Sequence, residues 1–396
     1  MIGFHRPEIT RNARSAGKEG RSFSGLTILT KWSVYDQFLR SHQSYTYASC
    51  QRRAMLISSI AQLRRSRMKA VQLIGFGGPD MLELAEVPAP EPGPDEVLIR
   101  VKTCGVNFAE TAMRADRYAI TPPVPSIPGS EVAGVVERIG ANVAGIAIGQ
   151  RVAGSAYAAG QLFGGYAELM TCPAAYVTPI PDALTFEEAV ALMVQGLTAW
   201  HLLDRAPAAG KRVLISAAAG GVGNLLVQLA KRADAALIVA AASTDDKRNF
   251  ALSIGADVAV DYTASGWSAG VRALTDGQGA DIVFESVGGT VVAESLKALA
   301  PLGQLVLYGS LNILEFNMGV PELLGLIFQN QSVTGFATVP LMTAASLQRS
   351  QAQIFALAAA KELKVTIGGV FPLDQASEAH RALEGRRTHG KLVLVP

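Results

Sequence analysis

Cysteine is scarce in this chain. Cys50, Cys104 and Cys172 are the only three in 396 residues. They are too few and too far apart for a disulfide framework or a zinc knuckle, and a reducing compartment suits them. Long apolar runs are missing too. The run "AALIVAAAS" at 235–243 falls well short of the roughly 18 residues that a membrane-spanning helix needs, so no membrane partner is expected. Acids are nearly absent from residues 1–67, which carry 12 Lys or Arg against only Glu8, Glu19 and Asp36. The rest of the chain holds 23 basic and 30 acidic residues. An acidic body argues against a nucleic-acid surface there.

Residues 1–67 are rich in Arg and Ser and place Trp32, Tyr35, Phe38 and Leu39 at helical intervals. That is the composition of an organelle import presequence. It is equally that of a weakly ordered basic extension, or of translated sequence ahead of a start at Met68. The expected location is cytoplasmic, or mitochondrial if the extension is a presequence.

With 49% hydrophobic residues the chain can bury a large core and divide it among two or three domains. From Met68 onward Gly and Pro cut it into short β-like runs, among them "KAVQLIGF", "DEVLIRVKTCGV", "EVAGVVERIG" and "GYAELMTCP", as in a barrel-like domain. "VPAPEPGPDE" is a connector, too rich in proline for a helix or a central strand. At "TFEEAVALMVQGLTAWHLL" the pattern turns helical, with Thr185 and Glu188 as a capping box. From Lys211 apolar runs such as "RVLIS", "ALIVAAA", "DVAVDY", "DIVFES" and "GQLVLYGS" alternate with helical stretches. That alternation predicts an α/β fold with a doubly wound parallel (Rossmann) sheet. The tail supplies a strand, a helix and a last strand, expected to return to the β-rich domain and make it discontinuous.

The stretch "SAAAGGVGN" follows a buried strand and opens a helix, the context of a dinucleotide turn. Against G-x-G-x-x-G it reads Ala218-x-Gly220-x-x-Gly223, so the first glycine is missing. Gly220, Gly221 and Gly223 let the backbone turn tightly and bring a pyrophosphate to the helix N-terminus. At the end of the second strand an NAD site usually carries an acid. Here stand Ser243 and Thr244, followed by Lys247 and Arg248. Small hydroxyls leave room for a 2′-phosphate and a cation can pair with it, so NADP(H) is favoured over NAD. In the plainer alternative Ser243 caps the helix and the cations are surface charges.

The segments "CGVNFAE" (104–110), "PGSEVAGVVERIG" (128–140), "GQRVAG" (149–154), "AAAGGVG" (217–223) and "GKLVLVP" (390–396) resemble, in this order, one known group. It is the zinc-independent quinone oxidoreductase, or zeta-crystallin-like, branch of the medium-chain dehydrogenase/reductase superfamily. The resemblance runs from Met68 to Pro396. It implies a GroES-like β-rich domain at 68–191, a Rossmann domain at 192–331 and a return segment at 332–396. Zinc-dependent relatives carry Cys where this chain has Asn107, His where it has Ser130, and a third ligand near Val194 or Gln195. No metal is therefore expected, and chemistry without a Lewis acid suits quinones and α,β-unsaturated carbonyls.

By the same resemblance Asn107 would line the pocket beside the nicotinamide and act in catalysis, and Thr198 would approach the nicotinamide or the phosphates. Ala219, Gly220, Gly221, Val222 and Gly223 would form the pyrophosphate turn. Ser243 and Lys247 would meet the 2′-phosphate and Tyr262 would flank the adenosine. Gly309 and Ser310 would lie under the nicotinamide half, and Lys391 would reach toward the cofactor. A homodimer through "SVTGFA" is implied as well. Two departures bear on the proton: Ala112 stands where relatives have a pocket tyrosine, and Glu285 where many have Asp. The expectation is that solvent protonates the product while Asn107 orients the acceptor. Enoyl-thioester reduction, or NADPH binding without turnover, shares these motifs.

Overall fold

The computed structural model describes residues 67–309, 315 and 318–396; the expectations for residues 1–66 and for Ser310 lie outside the described residues. In the strand Arg212–Ile215, Val213, Leu214 and Ile215 are all fully buried, although successive side chains of a strand point to opposite faces. Val213 and Ile215 pack with Ile238, Ala240 and Phe284 on one side. Leu214 packs with Val239, Ala241 and Val283 on the other. A sheet buried on both faces is what crossover helices produce, and it is parallel.

In chain order the strands are β1 (Arg67–Leu73), β2 (Leu82–Pro88), β3 (Glu96–Val106), β4 (Val132–Ile139), β5 (Arg151–Gly154), β6 (Leu169–Pro173) and β7 (Val177–Pro179). Then follow β8 (Arg212–Ile215), β9 (Leu237–Ala242), β10 (Val258–Asp261), β11 (Ala280–Glu285), β12 (Leu299–Leu307), β13 (Ser332–Gly335), β14 (Ile367–Pro372) and β15 (Lys391–Val395). The parallel sheet has six strands in the order β10-β9-β8-β11-β12-β13. It therefore extends past the expected limit of 331, because β13 finds its ladder partner in β12.

A second sheet runs β14-β15-β3-β4-β5-β7, with β6 also on β3, and β1 pairs with β2 as a separate hairpin. The tail thus joins the sheet of the N-terminal half, with Leu392 opposite Val106 and Leu394 opposite Cys104. That register carries Lys391 to the end of β3, where Asn107 begins the helix Phe108–Arg114.

Thr185 and Glu188 form the capping box of the helix Phe186–Ala191. The helical pattern that follows is two helices, not one. The second, Val194–Arg205, starts after Met193 leaves helical geometry at ψ −100°. The Val194 N–H goes instead to Glu131 Oε2 at 2.8 Å, and the break aims Gln195 and Thr198 at the site below. Among the described residues no helix is long and apolar enough to cross a membrane.

Candidate functional site

Strand order in the parallel sheet reverses between β8 and β11, and ligands of such sheets bind outside the carboxyl ends of the strands at that point. A cleft of about 340 Å³ opens there, lined by Ala217, Ser286 and Gly309 just beyond the ends of β8, β11 and β12. Its opposite wall comes from Asn107 and the helix after it.

The glycine turn lines this cleft from Ala219 to Gly223. Ala217, one residue before the position where the fingerprint has its first glycine, takes a positive φ of 47°. A Cβ on Gly223 would stand 2.4 Å from the Ala217 carbonyl oxygen. Gly223 is therefore what lets the helix Gly221–Arg232 pack against the end of β8. A Cβ on Gly221 would fall 2.1 Å from the Gln195 side chain. The buried Gln195 Oε1 has no hydrogen-bond partner, and Gln195 lines the cleft. A bare first helical turn, whose N–H groups lack intrahelical partners, beside an unused buried acceptor fits a dinucleotide with a pyrophosphate and amide or hydroxyl donors.

Thr198, Ser243, Lys247, Tyr262 and Gly309 also line the cleft. Thr198 Oγ1 donates to the Val194 carbonyl at 2.6 Å and lies 2.8 Å from Thr338 Oγ1. Thr244, not Ser243, caps the helix Asp245–Ser253 by accepting the Lys247 N–H at 3.3 Å. The Ser243 side chain is thereby left to the cleft wall. Lys247 Nζ donates to the Arg386 carbonyl at 2.6 Å, and burial first, then the Arg386 charge, pulls its pKa below the ordinary value. Arg386 and Thr388 also line the cleft, a contribution of the return segment that sequence reasoning missed. Arg248 turns away to Asp245 and Asp261.

Lys391 does not reach the cleft, and it is not a solvated edge charge either. It is 1% exposed, and its ammonium donates to Asn107 Oδ1 at 2.6 Å and Glu131 Oε1 at 2.5 Å. Asn107 Nδ2 donates to Glu131 Oε1 at 2.7 Å and lies 3.4 Å from Glu110 Oε1. The Asn107 backbone N–H goes to Glu110 Oε2 at 2.8 Å. Burial, with Glu131 adding and Lys391 opposing, pushes the Glu110 carboxyl up to about 7. Both carboxylates were overlooked in the sequence, although Glu131 stands in "PGSE" and Glu110 at the capping distance from Asn107.

Asn107, expected to orient the acceptor, has on this geometry no amide hydrogen left to donate to an acceptor carbonyl. Its amide hydrogens face two carboxylates. The hydroxyl on that wall is Tyr118, which lines the cleft with Ala112. Burial first, then the Glu110 charge, pushes the Tyr118 phenol up, so it is a neutral donor at neutral pH. No sequence pattern marks it, because it lies in a loop whose path only tertiary contacts fix.

Glu285 does not reach the cleft. It accepts from the N–H groups of Val287 and Gly288 and from Ser295 Oγ, bracing the turn that carries Ser286. Cys104 is buried and its thiol is pushed well up by that burial. Among the described residues no three His, Cys, Asp or Glu converge where they could hold a metal ion.

The family description "Alcohol dehydrogenase GroES-like domain" matches residues 93–182, and "Zinc-binding dehydrogenase" matches residues 254–394. The chain is similar to a quinone oxidoreductase of Pseudomonas aeruginosa, 35% identical over 333 residues that cover 83% of this chain and 99% of that protein. It is also similar to a 2-haloacrylate reductase of a Burkholderia species, 32% identical over 333 residues, 81% of this chain and 96% of that protein. Its structure matches that of Escherichia coli quinone oxidoreductase complexed with NADPH at a TM-score of 0.76 and 30% identity, over 83% of this chain and 100% of that one.

Proposed function

The chain is an oxidoreductase of the quinone oxidoreductase (zeta-crystallin-like) branch of the medium-chain dehydrogenase/reductase superfamily, and on that premise we propose that it reduces quinones or α,β-unsaturated carbonyls with NADPH and without a metal ion. One observation carries the reading: a single cleft is lined by the cation-bearing Lys247 and Arg386, by the glycine turn, and by Asn107 with Tyr118. Bound NADPH supplies the hydride. The similar 2-haloacrylate reductase is named for an α,β-unsaturated acid, which favours conjugated acceptors beside quinones.

The residues divide the work. Gly220, Gly221 and Gly223 admit the pyrophosphate, Ser243, Lys247 and Arg386 take the 2′-phosphate, and Tyr262 flanks the adenosine. Thr198 and Gly309 border the nicotinamide half. Tyr118 donates a hydrogen bond to the acceptor oxygen on which negative charge collects and keeps its proton, while solvent protonates the anionic product. In such an acceptor the charge is delocalised over the conjugated system rather than localised on an alkoxide oxygen, so a hydrogen-bond donor can stabilise it without a Lewis acid. Asn107 and Ser130 stand where a zinc site needs a thiolate and an imidazole, and the Asn107 amide is already engaged by an ammonium and a carboxylate.

Steady-state NADPH oxidation with a simple quinone and a simple enone tests this. Turnover on either, unchanged after dialysis against a chelator, is the expected outcome. Tight NADPH binding with no turnover would leave a binding protein instead. Tyr118→Phe is expected to lower kcat roughly tenfold to a hundredfold with little change in the KM for NADPH. An unaltered kcat removes Tyr118 from the reaction.

The reading includes a homodimer through β13. Beside it the helix Val320–Gln329 leaves Phe328 75% exposed, and Leu302 on β12 is 78% exposed, an apolar face that a second copy would cover. Light scattering on the purified chain gives the mass directly. A cytoplasmic, reducing location suits the two buried free thiols, Cys104 and Cys172.

A further inference from the structure

Behind Asn107 the Lys391 and Glu131 side chains are fully buried and form an ion pair. Such a pair contributes little net stability compared with apolar side chains of the same volume. Here it does something an apolar pair could not do. Lys391 has donors and no acceptor, so only the oxygen of the Asn107 amide can face it, at 2.6 Å. The Glu131 carboxylate has acceptors and no donor, so only the amide nitrogen can face it, at 2.7 Å. Together they forbid the flipped amide.

We infer that the Lys391–Glu131 pair is a positioning device that locks the Asn107 amide, so that Asn107 offers the cleft a single acceptor lone pair and meets a hydroxyl of the bound cofactor. The donor count leads there. One amide hydrogen goes to Glu131 and the other points to Glu110, while Oδ1 has used one of its two lone pairs on Lys391. What remains for a ligand is acceptance. A quinone or enone carbonyl has no hydrogen to give, whereas the ribose hydroxyls of a nicotinamide dinucleotide do.

The same carboxylate also holds the start of the next helix. Glu131 Oε2 takes the Val194 N–H, so β15, the Asn107 turn and the helix bearing Gln195 and Thr198 are joined at one point. Neither Lys391 nor Glu131 lines the cleft. They act through Asn107.

The inference rests on the cofactor reading above, so NADPH binding by the wild-type chain, followed by its fluorescence with no acceptor present, is measured first and tests that reading by itself. Lys391→Met alone would leave Glu131 buried without its partner. The combined variant Lys391→Met with Glu131→Gln removes both charges and roughly preserves volume. It is expected to melt close to the wild type and to bind NADPH roughly tenfold more weakly, the worth of one well-placed hydrogen bond.

Asn107→Leu should weaken NADPH by about the same factor in the wild-type chain, with kcat changed less than KM, and should cost little more in the combined variant. Independent losses that multiply would overturn the coupling, as would wild-type NADPH affinity in the folded combined variant. Asn107→Leu needs no change in the ion pair. If it lowers kcat while leaving NADPH affinity intact, Asn107 serves the acceptor and the inference fails.

Discussion

Alanine at both Lys247 and Arg386 is expected to raise the KM for NADPH about a hundredfold and to leave the KM for NADH within about threefold. The size follows from charge-assisted hydrogen bonds, worth about 1.5–3 kcal/mol each, with some compensation by water at an open cleft end. The acids near this end are already engaged. Asp245 and Asp261 pair with Arg248, and Asp246 lies 3.0 Å from His389, while Lys247 and Arg386 line the cleft that a 2′-phosphate would enter. Ser243 keeps its place on the wall because Thr244 has taken the cap. An NAD-type site would put a carboxylate at the end of β9, where it would repel that phosphate. Steady-state KM values for the two cofactors with one quinone give the answer. If both rise together, the two cations hold the cleft in shape and do not read the phosphate.

The alternation of apolar runs and helices from Lys211 onward was legible because each strand of a doubly covered sheet must be apolar on both faces. "RVLIS" could hardly be anything else. The glycine turn was legible for a steric reason that sequence carries directly: Gly223 cannot bear a Cβ 2.4 Å from the Ala217 oxygen. Lys391 was not legible in the same way. Its direction depends on the register of β15 against β3, set by distant pairs such as Leu392 and Val106, and a shift by one would turn it to the other face. Glu131 was hidden for a related reason. Nothing in "PGSE" announces that its carboxylate ends one helical run and starts another at Val194. The cap after β9 shows how narrow the margin is, since Ser243 and Thr244 are both good caps and only the backbone path decides which one is left for the ligand.

Glutamine at position 110 is expected to make the chain about 3 kcal/mol more stable near pH 8 and to change the shape of its pH profile. The Glu110 carboxyl rises from 4.5 to about 7 in the folded chain. Between those values the native state keeps a proton that the unfolded chain has released, so stability falls as pH rises through this range and stays low beyond it. The shift is worth about 3 kcal/mol at one pKa unit per 1.36 kcal/mol. His380 runs the other way. Burial first, then the Arg114 charge, lowers its imidazole from 6.5 to about 3, and its ring meets the Tyr166 hydroxyl at 3.0 Å. There the unfolded chain binds a proton that the native state refuses, so stability is present above 6.5 and is lost as pH falls toward 3. From about 6.5 down to 4.5 the slopes contributed by these two groups oppose each other in the wild type. Glu110→Gln keeps an acceptor for the Asn107 N–H but has nothing to titrate. Its advantage over the wild type should shrink as pH falls below about 7 and vanish near 4.5. Urea melts across this range decide it. Two parallel curves, offset by a constant, would mean that Glu110 is ionised throughout this range in the folded chain.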